Sequence, residues 1–368
     1  MPEQQVNYDS SLTCDLIKQN FGFPLMTPSK LLQPITAGEL TLQHRVVGAP
    51  LTRFRGSPTH VPDPVMSDYL RASFTRFRDA TNRHWRMVHI TGIWNQEHIN
   101  AWKLITDRVH AKDCYIFCQL WAHGRAAYPE VLAAEDPSFP YIAPSDIPLA
   151  GQMAIPRPKT VEEIEEYDQL YTEAARNTIK AGFDSVEIQG ANGHLLDQFT
   201  QDVSHRRSDQ YGGSIMNRVR FPLQVIDAVM DAVGAEKLGI ASAPGIHSKD
   251  PKPTFTCLVS PIKEKSPDFA YIHVGPRIVD MSNRSLKDIG AQEEDGFLRE
   301  ISAPKPVISA GGYDQSRTIT AADEKNNFIA FGRHFFANET FNYIGGHVAK
   351  GYTDYPIAAY VHWAKAAL

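Results

Sequence analysis

The sequence predicts a (β/α)8 barrel. Three observations carry that expectation: eight short apolar runs recur along the chain, helix-period segments lie between many of them, and no G-x-G-x-x-G follows any run. Runs that are apolar almost throughout fit strands buried on both faces of a parallel sheet. Alternating strands and helices suit either a barrel or a doubly wound open sheet, and the missing dinucleotide fingerprint makes the open sheet the runner-up.

The runs are VVGAPL (46–51), RMVHIT (86–91), YIFCQLW (115–121), FDSVEIQ (183–189), KLGIASA (237–243), FAYIHV (269–274), PVISA (306–310) and FIAFG (328–332). The clearest helix covers 161–181, where Ile164, Tyr167, Tyr171, Ala174, Ala175 and Ile179 recur at helical spacing. Thr160 followed by Glu163 reads as a capping box, and Gly182 as the stop before the next strand. A second helix over 217–233 carries Val219, Leu223, Ile226, Val229 and Val233 in the same rhythm. Residues 1–30 match no barrel unit and read as an N-terminal extension, which leaves 31–368 as one barrel domain. The Pro-rich stretch 137–158 is too long for a simple turn and reads as a loop after the third strand, on the face where barrel chemistry sits.

With 368 residues, 42% of them apolar, the chain has ample material for a core. A net charge of −5 with scattered Lys and Arg gives no footprint for nucleic acid or an anionic membrane, so a small-molecule partner is expected. The N-terminus is polar, without a signal-peptide core, and no apolar run reaches the roughly 18 residues of a membrane span. Cys14, Cys114, Cys118 and Cys257 show no C-x-x-C spacing. Cys114 and Cys118, four apart in an apparent strand, would share one face and pack, which fits a reduced cytoplasmic compartment. The 14 histidines show no metal-binding spacing, and neither a G-x-S-x-G elbow nor a Cys–His signature is present. Metal and acyl-transfer chemistry are therefore not expected. Monomer and homodimer are equally compatible with the sequence.

Barrel active sites gather at the C-terminal ends of the strands. There the chain places Pro50, Leu51 and Thr52, then Gln119 and Trp121, then Gln189, Asn192 and His194, and finally Gly311, Gly312, Gly332 and Arg333. Glycines after the last two strands let backbone N–H groups approach a phosphate, and Arg333 adds a planar permanent cation. A plain turn with a surface ion pair remains the alternative. Gln189, Asn192 and His194 combine two amides and one titratable ring within six residues. They read either as a ligand-gripping turn or as a polar turn in which Asn192 caps the next helix. His89 and His273 lie in apparent strands and read as satisfied core groups.

LLQPITAGELTLQHRVVGAPLTRFR, INAWKLITDRVHAKDCYIFCQLWAHGRAA, the region 183–228 with RRSDQYGGSIMNRVRF, ISAGGYD and IAFGRHFFAN together resemble the old yellow enzymes, FMN-dependent ene reductases on a (β/α)8 barrel. The resemblance spans roughly residues 31–357 and is closest to the fungal branch that includes the chanoclavine-aldehyde reductases of alkaloid biosynthesis. It implies that Pro50, Leu51 and Thr52 lie along the flavin and that Gln119 bonds its pyrimidine edge. Gly311, Gly312, Gly332 and Arg333 would hold the phosphate. Gln189 and Asn192 fall on the two positions that grip a substrate carbonyl, Trp121 belongs to the substrate pocket, and His194 stands where a proton-donating tyrosine is usual. NADPH or NADH would supply the hydride. Ala241 replaces the family's arginine beside the flavin, and three loops, after strand 2, after APGIHSKDP and near Ala349, are shorter than usual.

Three functions follow as expectations. The first is an FMN-dependent NAD(P)H oxidoreductase acting on an α,β-unsaturated carbonyl compound in fungal secondary metabolism. The second is a redox-neutral isomerase or cyclase in which Gln189 and Asn192 polarise a carbonyl and His194 moves a proton. The third is a non-catalytic binding descendant.

Overall fold

Main-chain pairing, more than hydropathy, decides which segments become the staves of the barrel. The computed structural model of the chain describes residues 29–66, 76–81, 89–243, 250–275, 296–313 and 315–332. An antiparallel hairpin of β1 (Ile35–Ala37) and β2 (Leu40–Leu42) precedes β3 (Val46–Gly48), β4 (Arg76–Thr81) and β5 (Ile116–Trp121). A short parallel pair, β6 (Ile142–Ala143) and β7 (Arg157–Pro158), lies inside the long Pro-rich excursion. Then come β8 (Ser185–Gly190), β9 (Leu238–Ser242), β10 (Tyr271–Val274), β11 (Val307–Ala310) and β12 (Phe328–Phe331). Among the described residues, β3, β4, β5, β8, β9, β10, β11 and β12 pair in that order, all parallel, and β12 returns to β3 to close the barrel.

The helices follow the strands. They are α1 (Gln96–His110), α2 (Pro129–Glu135), α3 (Val161–Lys180), α4 (Leu195–Thr200), α5 (Ile215–Val233), α6 (Lys252–Lys265), α7 (Gly296–Ser302) and α8 (Gln315–Lys325). The capping box at α3 forms: Thr160 Oγ1 accepts the Glu163 N–H at 3.2 Å, and Glu163 accepts the Thr160 N–H at 2.8 Å. The apolar stripe of α3 turns Ile164, Tyr167, Tyr171, Ala174 and Ala175 onto the barrel, and α5 does the same with Val219, Val225, Ile226 and Val229. The larger core lies between helices and staves, and a smaller one of Val47, Phe117, Tyr271, Ile308 and Phe328 fills the barrel.

Seven of the eight expected strands coincide with staves, and the second does not. The stave between β3 and β5 is Arg76–Thr81, paired with β5 over Arg76↔Ile116 to Thr81↔Trp121. Of the expected strand 86–91, residues 86–88 lie outside the described residues, while His89 sits in a turn with a φ of +62°. RMVHIT is the more apolar segment, but ladder bonds are made by peptide groups, which every residue carries. Cys114 precedes β5 instead of sharing its face with Cys118; its thiol lies 3.1 Å from the Lys112 carbonyl oxygen. The N-terminal extension 1–30 falls almost entirely outside the described residues, as do Arg333 and the loop near Ala349; residues 92–95 lead directly into α1, and Pro251 leads directly into α6.

Candidate functional site

Inward-facing residues of β5, β8, β9 and β10 stack up the barrel axis in layers. Phe117 and Tyr271 form the lower layer, their rings stacked at 5.9 Å. Gly239 makes room for them, since any side chain there would overlap the Tyr271 ring. Burial, and then the Glu187 charge, push the Tyr271 phenol well above its usual range.

The next layer is polar. Glu187, fully buried, accepts from the Gln119 amide and stands 3.0 Å from His273 Nδ1. Gln189 donates its own amide to Gln119 Oε1 at 3.1 Å. A buried carboxylate needs such partners, and here an imidazole and an amide supply them. His273 is thus the satisfied core group that its strand position suggested. Ala241 pairs in register with Gln189 on one side and His273 on the other.

Above this layer β8 runs out into the turn 190–194. Asn192 and Gly193 both adopt left-handed backbone, at φ +59° and +75°. Asparagine and glycine are the residues that tolerate it. His194, not Asn192, is the N-cap residue of α4, and it makes no side-chain cap bond. Its ring lies edge-on to Trp121 at 4.4 Å, with His123 5.6 Å away. His194 Nδ1 is enclosed without a hydrogen-bond partner, and so is Gln189 Oε1. Desolvation takes the His194 pKa down to about 4, which makes it a neutral imidazole at pH 7. His194 stands at the proton donor's place in the resemblance, but its surroundings disfavour the charged ring that would act as an acid.

Residues absent from the sequence reading hold this turn. Asp197 accepts the Gly193 N–H at 2.8 Å, and the Gln198 amide donates to the carbonyls of Gly193 at 2.7 Å and His123 at 2.6 Å. Glu187 had a legible signal, a carboxylate between Val186 and Ile188 in an expected buried strand. Asp197 had none beyond its helical spacing from Gly193.

The other end of the mouth carries the glycines. Gly311 and Gly312 follow β11 with φ of +109° and +63°, and Gly332 follows β12, where, among the described residues, an added Cβ would touch only the Leu51 side chain, at 3.6 Å. Beside Leu51 and Thr52 lies a small cleft, lined also by Arg53, Met66, His89 and Thr91. The structure thus brings together two groups, one of Gln119, Gln189, Trp121 and His194 and one of Leu51 and Gly332. Among the described residues there is no cluster of three His, Cys, Asp or Glu able to hold a metal, and no helix is long and apolar enough to cross a membrane.

Residues 30–343 match the sequence profile of the NADH:flavin oxidoreductase / NADH oxidase family. The chain belongs to this family. A chanoclavine-I aldehyde reductase of Penicillium roqueforti is 37% identical over 365 residues, covering 90% of this flavin oxidoreductase and 97% of the relative. A protein of Claviceps fusiformis named a probable inactive dehydrogenase is also 37% identical, over 334 residues and 85% and 86% of the two chains. Among solved structures, morphinone reductase in complex with tetrahydroNAD superposes with a TM-score of 0.79 at 30% identity, covering 91% of this chain and 99% of that one. The chain is an FMN-dependent oxidoreductase that uses a nicotinamide cofactor. Its described residues fit such a group: Gly311 and Gly312 make a turn of positive φ without side chains after β11, and among the described residues a Cβ at Gly332 would meet only Leu51.

Proposed function

We propose that this flavin oxidoreductase reduces the carbon–carbon double bond of an α,β-unsaturated aldehyde or ketone, with NADPH or NADH as hydride source, in the cytoplasm and in fungal secondary metabolism. One observation carries the reading. The same β8 end and turn present two enclosed polar atoms without partners, Gln189 Oε1 and His194 Nδ1, on either side of Asn192. Buried polar atoms are rarely left unpaired, so a polar ligand atom belongs there.

Bound FMN would supply the hydride chemistry between the nicotinamide and the substrate's β-carbon, and the α-carbon would take its proton from water. The chain's own residues bind and orient. Pro50, Leu51 and Thr52 would lie along the ring, and Gly311, Gly312, Gly332 and Arg333 would take the phosphate. Gln119 would reach the pyrimidine edge by exchanging Gln189 for it, since its amide already serves Glu187. Asn192, neutral His194 and Gln189, the last by turning its amide N–H₂ from Gln119 towards the mouth, would donate to the carbonyl oxygen and stabilise the charge that grows there as the double bond is reduced. A neutral imidazole suits this electrophilic role better than that of a general acid, and Trp121 would wall the pocket. The aldehyde reductase among the relatives supports a carbonyl substrate.

A redox-neutral isomerase is the second reading, supported by Ala241 in place of an arginine beside the flavin. The visible spectrum of the purified protein, followed by anaerobic NADPH and then 2-cyclohexenone, tests the choice. A flavin band that bleaches with NADPH and returns with the enone supports the reductase. Bound flavin that stays oxidised while a substrate isomerises supports the second reading, and absence of any flavin binding removes both in favour of a binding descendant.

A further inference from the structure

We infer that Asp197 is a positioning residue that aims the turn 190–194 at the substrate through its bond to the Gly193 N–H. The side chain is fully buried at the start of α4, three residues beyond His194. One carboxylate oxygen accepts from Gly193 at 2.8 Å and the other from Gln201 Nε2 at 3.0 Å. The Gly193 amide follows Asn192, whose left-handed backbone costs free energy unless its surroundings hold it there. Gln198 clamps the next peptide unit by donating to the Gly193 carbonyl. Two adjacent residues of one short helix therefore fix both faces of the turn that carries Asn192 and His194. Each holds the turn through backbone groups, the Gly193 N–H for Asp197 and the Gly193 carbonyl for Gln198.

Charge matters to this grip. A carboxylate accepts from a backbone N–H about twice as strongly as a neutral acceptor. Desolvation pushes the Asp197 pKa up to about 6, against the pull of Gln201, Gly193 and Arg125. Arg125, on the one-turn helix after β5, is the charged group that faces it; Gln201 and the Gly193 amide are neutral, and His194 caps the same helix without charge at pH 7. Protonation of Asp197 near pH 6 weakens the bond to Gly193 and frees the turn.

The substrate half of this inference rests on the proposed reductase; the structural half does not. Amide NMR of the ¹⁵N-labelled protein reads the structural half. The Gly193 resonance is expected to move through a single titration centred near pH 6 in the wild type and to lose that titration in Asp197→Asn. The second readout is KM and kcat for 2-cyclohexenone with NADPH across pH 5 to 8. Wild-type KM is expected to rise about tenfold below pH 6 with a smaller change in kcat, while Asp197→Asn shows a flat, raised KM. A Gly193 resonance that does not titrate overturns the inference even if the variant fails to fold. So does a variant that keeps the wild-type KM profile. If the wild type binds no FMN and reduces no enone, the function reading fails, and the Gly193 titration alone decides the positioning role.

Discussion

Gln189 donates to Gln119 Oε1 at 3.1 Å, a direct link between the residue expected at the substrate and the residue expected at the cofactor. Gln119 in turn donates to Glu187, so each partner's position depends on the other. Gln189→Ala and Gln119→Ala are therefore expected to be non-additive in FMN affinity. A double-mutant cycle read by flavin titration should show a coupling of about 1 kcal/mol, and simple additivity would break the link.

His194 should make stability pH-dependent. Its folded pKa of about 4 lies below the ordinary 6.5, so between those values the unfolded chain binds a proton that the folded chain refuses. The stability is fully present above pH 6.5 and is lost as pH falls towards 4, by roughly 3 kcal/mol at most. His194→Phe should flatten that slope in chemical denaturation. Asp197 works in the opposite sense, because its folded pKa is raised to about 6 and stability falls as pH rises from 3.8 to 6. The two slopes oppose each other near pH 5, so each emerges only in the single variants.

Lys159 is 1% exposed, with Nζ 3.4 Å above the Tyr167 ring centroid and no hydrogen-bond partner. Desolvation lowers its pKa to about 7, against Glu163 and Glu166. Below pH 7 the ammonium has to be buried, and stability returns as pH rises from 7 towards 10.5. Lys159→Met keeps the packing and removes the charge. It should be more stable than the wild type at pH 6 by at least about 1 kcal/mol, with the gap closing at high pH, as measured by denaturant midpoint.

Ala241 occupies the stave position between Gln189 and His273, where the family resemblance places an arginine. Ala241→Arg should tighten FMN binding by about tenfold, since a buried cation beside developing negative charge is worth at least one charged hydrogen bond. Unchanged affinity in a flavin titration would mean that the ring does not lie over the end of β9.

Seven staves were legible because fully buried parallel strands leave largely apolar runs such as YIFCQLW and FAYIHV, each broken by one polar residue, Gln119 and His273. Arg76–Thr81 was not, because RFRDAT carries three charges in six residues and joins the barrel through its peptide groups. The ends of the staves located Gln189, Asn192 and His194 directly. The protonation state of His194 was beyond the sequence, since desolvation depends on what encloses the ring. The same holds for Asp197, whose partner Gly193 becomes visible only once the turn closes on the helix.

The central claim is hydride transfer to the β-carbon of an enone held by Gln189, Asn192 and His194. Turnover of 2-cyclohexenone with NADPH deuterated at the transferable C4 position, alongside the wild type's flavin spectrum, tests it most directly. The account predicts a saturated ketone carrying one deuterium at the β-carbon, lost together with turnover in Asn192→Ala. A saturated product without deuterium, or an isomerised enone that retains its double bond, would contradict it.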